Sequence, residues 1–439
     1  MIDAPLHDRR SAVDDDGTLA TEQLGVAVYG LDRTGLALSV LCAQAVGSVT
    51  ATDADGSRVS AVSHGRPPAG GPLVASALPD AIEGGRLRST TDIAAAAADA
   101  RVHLLAVGAG LRDDDTPDCS ALRSTLRDAT GGIDPGDVVV VIPPVPPGTT
   151  EGVVAQTLAD GGVSTEAVGL GVWTLPTDRS LRALRTGDSV VAGTNDRSRR
   201  AVADLAGTTT AGTVSTVPTV STAECVDAVE RTAEEMLRSL SNELAVSAPE
   251  IDAATVAELV SMRVDRPLPG PGVGGSQPVG AGFLRDAVAD RTPLTDSVYR
   301  TTLEFPRLIA EAVLDAADHQ PDGEQETTVL IVGVPEAAAD DAGSMPLSLL
   351  VRELTRAETR PLVCDPVADL PRSLTPHAVS IRAANRLDPD AVVVLAERLV
   401  FEELDWERYD ATVVDCCGSA LDVGEDRQRL GRPDTLRSR

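Results

Sequence analysis

Two short apolar runs that each end in glycine, LGVAVYG at 24–30 and TVLIVG at 328–333, constrain the fold of this chain most strongly. Each run is typical of a buried strand, because a strand that is covered on both faces is apolar at successive positions. The first run is followed by an apolar helical stripe, a second strand, SVTATD, and a terminal acid, Asp53. Strand, glycine turn, helix and strand in this order predict a parallel α/β sheet. We therefore expect an α/β fold with two such sheets, separated by a helical stretch.

The first glycine turn, GLDRTG at 30–35, carries an altered dinucleotide-binding fingerprint. The second glycine of G-x-G-x-x-G normally lets the backbone approach a pyrophosphate, but Asp32 adds a Cβ and a negative charge there. Arg33 can partly neutralise that charge, and Asp53 lies where an acid that binds ribose is expected. Two readings stay open: a Rossmann-like domain that binds NAD, and one that no longer holds a dinucleotide. The residues expected at the cofactor are Gly30, Asp32, Arg33, Gly35, Asp53 and Arg58.

A second loop, PLPGPGVGGSQPVGAGFLRD at 267–286, is the densest glycine segment of the chain. Glycine lets the backbone approach a ligand closely, and such loops often carry function. The loop resembles the substrate loop of the UDP-glucose/GDP-mannose 6-dehydrogenase family, where GPGVGG continues as His-Cys-x-x-x-Asp and the cysteine is the nucleophile. Here Ser276 takes the place of the histidine, Gln277 that of the cysteine and Ala281 that of the aspartate. The resemblance implies substrate contacts at Gly270, Gly272, Gly274 and Gly275.

Further motifs of that family recur in the same order over about residues 23–422. EGGRLRSTTDI at 83–93 and VPPGTT at 145–150 match the family pattern. The Ser-Thr pair before VPPGTT is replaced by Pro143 and Pro144, and the family's Pro-Thr-Pro by 108–110, Gly-Ala-Gly. We interpret VPPGTT as a structural turn that opens a helix.

The segment 222–248 lacks Gly and Pro, which predicts a long helix. It resembles the family's central helix, with Glu224 retained, Asp227 at the position of the lysine and Arg231 at that of the asparagine. Helical spacing places these three residues on one face, which we interpret as solvated and joined by an Asp227–Arg231 ion pair. With Gln277, these changes leave no catalytic residue of the family intact. The nearest counterpart of the family's Pro-Glu-Arg, which supports the sugar, is LPTDR at 175–179.

The second apolar run resembles the start of the family's C-terminal domain. Gly333, Asp340, Asp341 and Pro346 match its pattern, whereas Gly343 lies at the position of an arginine that contacts substrate across the dimer. The predicted organisation is a disordered acidic arm at 1–22, a Rossmann-like NAD-binding-type domain at 23–210, a central helical dimerisation domain at 215–318, a C-terminal Rossmann-like UDP-sugar-binding-type domain at 327–422 and a disordered tail at 423–439.

The charge of the chain excludes several classes of partner. It has 67 acidic residues against 38 basic ones, all of them arginine, and a net charge of −29, so we expect no binding to nucleic acid or to anionic membrane. This surface is typical of a protein from a salt-rich cytoplasm; a mesophilic protein with an acidic partner is the alternative. The six cysteines form no CxxC pair, which argues against a zinc site. A polar N-terminal segment without an apolar core and the lack of a long apolar run predict neither a signal peptide nor a membrane span, and hence a cytoplasmic protein.

The resemblance implies two hydride transfers to NAD at C6 of a nucleotide sugar, with the aldehyde held on cysteine and released as a uronate. Gln277 cannot act as that nucleophile. Three hypotheses follow: an inactive homologue that forms a homodimer or pairs with an active paralogue, an enzyme that oxidises an alcohol once with Asp227 as base, and a binding module that senses a nucleotide sugar.

Overall fold

The computed structural model describes residues 24–46, 48–112, 114–248, 251–264, 267–273, 278–288, 292–317, 327–335, 345–367, 370, 374–417 and 427–429. The described residues fall into two compact units. The first unit runs to residue 230 and also takes in 282–288, and the second contains 231–281 and the residues from 292 onward.

The first unit is built on an eight-stranded sheet in the order β10-β9-β8-β7-β4-β1-β2-β3. The strands are parallel except at the β8–β9 pair, which is antiparallel. Counted outward from β1, the order β3-β2-β1-β4-β7-β8 is that of a Rossmann sheet, with its switch point between β1 and β4. The strands of the first unit are β1 Gly25–Tyr29, β2 Ser48–Thr52, β3 Leu87–Thr90, β4 Val102–Leu105, the hairpin pair β5 Gly110–Leu111 and β6 Pro117–Asp118, β7 Val138–Val141, β8 Gly169–Thr174, β9 Ser189–Gly193 and β10 Val214–Thr216.

Helices cover both faces of this sheet, so the central strands are buried along their whole length; all four residues of β7 are valine and buried. The core is mostly aliphatic, and among the described residues Trp173 is the largest side chain that is fully buried. The helices before residue 210 are α1 Arg33–Ala45, α2 Gly56–Ser63, α3 Gly71–Glu83, α4 Ile93–Ala98, α5 Ser120–Ala129, α6 Ala155–Asp160 after a π-helical turn at Thr150–Val154, α7 Leu181–Thr186 and α8 Asp196–Thr209.

A polar chain crosses the buried face of this sheet. The Tyr29 hydroxyl lies 2.8 Å from Nδ1 of His103, and the other ring nitrogen of His103 lies 3.3 Å from Asp137. Arg101 donates to the same carboxylate at 2.8 Å. Burial raises the pKa of Tyr29, so this hydroxyl stays protonated. The chain ties β1 and β4 to the start of β7 with its polar atoms bonded, as buried polar groups require.

Four helices follow the first sheet: α9 Val220–Ser247, α10 Ala253–Ser261, α11 Val279–Ala287 and α12 Pro293–Ala316. The predicted long helix over 222–248 is confirmed by α9, which has 28 residues. The compact units divide within α9 and before Gly282 of α11, so the helical stretch is shared between them.

The second unit contains a parallel five-stranded sheet in the order β12-β11-β13-β14-β15, which is the other common doubly wound order. Its elements are β11 Thr328–Val332, α13 Met345–Arg356, β12 Arg360–Cys364, α14 Ile381–Ala384, β13 Ala391–Val394, β14 Thr412–Asp415 and β15 Arg427–Arg429, with 3₁₀ turns at Thr375–His377, Leu399–Glu403 and Trp406–Arg408. The α/β fold with Rossmann-like sheets near both ends of the chain is therefore confirmed.

Two details of the structure differ from the domain boundaries predicted from the sequence. β10 pairs with β9, so the first sheet continues past residue 210. β15 pairs with β14 inside the tail at 423–439, so the prediction that this tail lacks structure is wrong for 427–429. An edge strand of three residues needs its neighbour to form, and its own sequence gives no period to recognise. The acidic arm at 1–22 lies outside the described residues.

Candidate functional site

The turn between β1 and α1 lies at the switch point of the first sheet, where doubly wound proteins bind ligands. Gly30 has φ +105°, a conformation that favours glycine, and its N–H donates to Thr52 O at 2.7 Å. The next N–H, of Leu31, donates to Asp53 Oδ2 at 2.8 Å, and Oδ1 accepts from Asp55 N at 2.8 Å. Asp53 thus fixes the crossover from β1 and lies at the end of β2, as predicted for an acid that binds ribose.

Asp32 has a different role from the glycine that the fingerprint calls for. It is the N-cap of α1, and its Oδ1 accepts the N–H of Gly35 at 2.8 Å. Gly35 itself is required by packing, because a Cβ there would lie 2.0 Å from Gly30 O. Arg33 approaches Asp178 at 3.8 Å, and Arg58 approaches Asp53 at 3.6 Å.

These residues fit one part of a dinucleotide and conflict with another. Asp53 and the Gly30 turn have the geometry of a nucleoside site. The start of α1, where a diphosphate binds in such folds, is already occupied by the chain's own carboxylate from Asp32. The ribose end of the site is kept, and the diphosphate end is closed by a negative charge.

Glu224 anchors α9 to the VPPGTT turn. Its side chain is completely buried and accepts from Gly148 N at 2.6 Å, Thr150 N at 2.8 Å and Thr150 Oγ1 at 2.7 Å. Burial raises the pKa of Glu224, and the three bonds act to lower it. The turn opens a π-helical turn that continues into α6, as predicted for a turn that begins a helix.

Asp227, one turn further along α9, corrects the interpretation of that helix face. The side chain is 1% exposed, and Oδ1 accepts from Arg179 Nη2 at 2.6 Å. Arg179 also donates to Pro143 O at 3.2 Å and is 7% exposed. The idea of a solvated face is wrong at Asp227, because its side chain is buried and forms an ion pair with Arg179, 48 residues away in sequence. Arg179 is the last residue of the LPTDR segment, the nearest counterpart of the family's sugar-supporting motif.

In the second unit, Asn242 holds the glycine loop. Its side-chain amide donates to Gly272 O at 3.2 Å and accepts from Gly272 N at 2.8 Å. Ser241 donates to Pro269 O at 2.6 Å, and a Cβ on Gly272 would lie 3.0 Å from Cys416 O. Space around Gly270 is open, so backbone there is accessible. Gly274, Gly275, Ser276 and Gln277 lie outside the described residues, as do Asp340, Asp341 and Gly343.

A carboxylate that the sequence reasoning missed reaches the start of α11. Glu235 accepts from Gly280 N at 3.2 Å and from Ala281 N at 3.1 Å. Burial raises the pKa of Glu235 to about 8, against these two bonds and the charge of Arg231, which act to lower it. Glu235 lies four residues after Arg231, so the same helical spacing that links Asp227 and Arg231 would have found it. Ala281 stands at the family's aspartate position, and Glu235 supplies a carboxylate there from another element.

The second sheet repeats the acid-clamped crossover of the first. Gly333 has φ +84°, and Val334 N donates to Asp365 Oδ2 at 2.9 Å at the end of β12. Oδ1 of Asp365 accepts from Val367 N at 2.9 Å, as Asp53 accepts from Asp55. Arg398 adds a bond to Asp365 at 2.8 Å and donates to Val334 O at 2.8 Å. Both sheets therefore place a bonded aspartate at their switch point.

The described part of the chain holds no group of three or more His, Cys, Asp or Glu residues that could bind a metal ion. Among the described helices, none combines the length and the apolar content that crossing a membrane requires.

The geometry defines a doubly wound protein, and comparison with known proteins relates its first unit to an NAD-binding domain. Residues 24–205 match the model of the UDP-glucose/GDP-mannose dehydrogenase family, NAD binding domain. A relative over most of the chain is the NDP-N-acetyl-D-galactosaminuronic acid dehydrogenase of Ralstonia nicotianae, 26% identical over 408 residues, which are 89% of this chain and 94% of the relative.

Solved structures share the fold along the chain. The UDP-D-ManNAc dehydrogenase of Pyrococcus horikoshii matches with a TM-score of 0.77 at 20% identity, covering 94% of this chain and all of that one. A UDP-glucose dehydrogenase of Pyrobaculum islandicum matches with a TM-score of 0.76 at 21% identity, covering 93% of this chain and 97% of that one. Residues 24–205 therefore resemble the NAD binding domain of the UDP-glucose/GDP-mannose dehydrogenase family, and the solved structures show that the fold is shared along the chain.

Proposed function

We propose that this protein is a catalytically inactive nucleotide-sugar dehydrogenase homologue that serves as a partner or regulatory subunit in a salt-rich cytoplasm. The observation that carries the proposal is the buried Arg179–Asp227 pair. The family resemblance places a lysine at Asp227, whereas this chain puts a carboxylate there and bonds it at 2.6 Å. A carboxylate that is paired with Arg179 cannot donate to a developing oxyanion as the lysine would, so the stabilising cation is missing at that position.

Cys119 and Cys225 give no substitute nucleophile. Burial, with a smaller contribution from Glu224, raises the pKa of Cys225. Burial also raises the pKa of Cys119. A thiol with a raised pKa is a poor nucleophile at neutral pH, so neither residue replaces the cysteine that Gln277 displaces.

The test is turnover in concentrated KCl. We expect no NADH from UDP-glucose or its N-acetylated relatives, and none from Gln277→Cys, because the Asp227 and Asp32 sites are unchanged in that variant. NADH would be followed by absorbance, with an active family member assayed in the same salt as the positive control. Steady NADH formation by the wild-type protein, purified free of any active paralogue, would overturn the proposal.

An exposed apolar surface in the second unit supports assembly with a second chain. The partly exposed side chains of Leu240, Val246, Ile251, Leu259, Met262, Val264 and Leu294 belong to α9, α10, α12 and the segments next to them. Met262 is 71% exposed and Leu259 is 54% exposed. Exposed apolar side chains that recur along one helical stretch suit an interaction site, and the occupant we propose is a second copy or an active paralogue.

Light scattering after size-exclusion chromatography tests the assembly. We expect a dimer for the wild-type chain and a monomer for Leu259→Asp with Met262→Asp. Leu399→Asp is the matched control, because Leu399 is 84% exposed and lies in another part of the second unit. A wild-type monomer that also fails to bind an active paralogue would contradict the subunit role.

A nucleotide-sugar-sensing protein is the second candidate, and the bonded glycine loop favours it. The Asn242–Gly272 pair and the Asp365 crossover keep the second unit ordered where the resemblance implies substrate contacts. A thermal-shift screen in concentrated KCl separates the candidates. Stabilisation by a nucleotide sugar in the absence of NAD supports sensing, and no shift with any nucleotide sugar supports a purely structural partner.

A further inference from the structure

A groove in the first unit, away from the Gly30 turn, has the character of an anion site. It is a cavity of about 660 Å³ between the start of α5 and the turn before the π-helical segment. Its walls include Arg112, Arg123, Arg127, Gly148 and Asp286, and the residues lining it do not include Asp32 or Asp53. The volume lies in the range of pockets that hold small ligands, about 300–1,000 Å³.

The charge of the groove is opposite to that of the whole chain. Three arginines line it against one carboxylate, Asp286, in a protein with a net charge of −29. Arg112 is bonded to Asp118 at 3.4 Å. Arg123 and Arg127 are exposed, and within the described part of the chain no ion pair involves either of them. In a chain in which acids outnumber bases so strongly, two neighbouring arginines on one helix without a carboxylate partner are unexpected, which suggests that they bind another anion.

The spacing of the arginines suits an oxyanion, and the opposite wall leaves room for one. Arg123 and Arg127 are four residues apart on α5, so their side chains lie on the same helix face. Across the groove the space where a Cβ of Gly148 would lie is empty, while the Gly148 N–H is bonded to Glu224, so this wall supplies space and the arginines supply the donors. Guanidinium groups bind phosphate through two parallel hydrogen bonds. Salt screens such direct contacts less than it screens attraction between distant charges, so the contacts can persist in concentrated KCl.

We propose that this groove binds a phosphorylated small molecule through Arg123 and Arg127, with Arg112 at its rim. The ligand class is a phosphate or diphosphate ester of the size of a sugar phosphate or nucleotide. The site is separate from the dinucleotide turn, and it goes beyond the proposed subunit role because it needs no turnover and no second chain.

Binding of inorganic pyrophosphate to the full-length protein tests the proposal, by calorimetry and thermal shift in KCl of fixed concentration. We expect saturable binding to the wild-type chain and at least tenfold weaker binding to Arg123→Gln with Arg127→Gln. The matched control is Arg382→Gln with Arg386→Gln, an exposed pair with the same spacing and charge change in the second unit, which should bind as the wild type does.

Glutamine keeps the aliphatic stem and helix propensity of arginine, so the α5 variant should fold, and circular dichroism checks this. Equal affinity in the α5 variant and the wild type would overturn the proposal, as would an absence of saturable binding to the wild type. Additional KCl at matched ionic strength is the second arm. An equal shift with KCl alone would mean general stabilisation by salt and would also overturn it.

Discussion

Replacing Asp32 with glycine should reopen the diphosphate end of the NAD site. In the wild-type chain the Asp32 carboxylate caps α1 by accepting the Gly35 N–H at 2.8 Å. A diphosphate that approaches the amides of this first turn must displace the carboxylate or lie beside it. Asp32→Gly removes both the charge and the Cβ and restores the glycine of the fingerprint, while Asp53 and the Gly30 turn stay as they are.

The size of the effect follows from the bond that a diphosphate must break. A hydrogen bond to a charged group contributes roughly 1.5–3 kcal/mol, which corresponds to a change of about ten- to a hundredfold in a dissociation constant. Asp32→Gly should therefore bind NAD at least about tenfold more tightly than the wild type. Asp32→Asn keeps the cap and the Cβ without the charge, so its affinity should fall between the two.

The same series has a predictable cost in stability. Loss of an N-cap to alanine costs about 1 kcal/mol, whereas loss to glycine costs only a few tenths, so Asp32→Ala should be the least stable variant. Affinity would be measured by calorimetry with NAD in concentrated KCl, and stability by urea unfolding. Equal NAD affinity in the wild type and in Asp32→Gly would refute the reasoning, because the carboxylate would then not oppose the diphosphate.

Three further outcomes are expected. Burial raises the pKa of Glu235 from an ordinary 4.5 to about 8, so its contribution to stability is full below pH 4.5 and is lost as the pH rises through 8. Glu235→Gln should therefore flatten the pH dependence of urea unfolding over this range. The exposed Glu258→Gln is the matched control and should leave that pH dependence unchanged. Glu224→Ala should lower the free energy of unfolding by roughly 3 kcal/mol, because it leaves buried donors on Gly148 and Thr150 without an acceptor, whereas the exposed Glu151→Ala should change it by less than about 0.5 kcal/mol. The melting temperature followed by circular dichroism should rise with KCl, since cations screen repulsion among the surface carboxylates, and a melting temperature that is flat or falls across the KCl series would contradict salt adaptation.

The sheets and their glycine turns could be predicted because their signals are local. The runs that became β1 and β11 are apolar along their length and end in a glycine with positive φ, and Asp53 falls at the end of β2 by counting alone. The same holds for α9, whose lack of Gly and Pro over so long a segment favours a helix. These features need no knowledge of which distant residues meet.

The bonds that decide the chemistry of the site are not local. Glu224 reaches Gly148 across 76 residues, and Asp227 reaches Arg179 across 48, so no sequence period connects either pair. Helix spacing makes Arg231 a natural partner of Asp227, but it gives no indication of Arg179 or of the burial of Asp227. Glu235 is an intermediate case, because its spacing was visible but its target, the start of α11, was not.

The Arg179–Asp227 pair should resist a return to the family chemistry one residue at a time. Asp227→Lys would place two cations in a site where both side chains are buried, and breaking a buried pair costs about 3–5 kcal/mol. Asp227→Lys with Arg179→Glu reverses the charges and should recover part of that loss, so that the double variant is more stable than the sum of the single changes predicts. Urea unfolding of the two single variants and the double variant gives the coupling directly. Purely additive losses of stability would mean that Asp227 and Arg179 have no favourable interaction energy. The idea that this ion pair stabilises the carboxylate at position 227 would then be wrong.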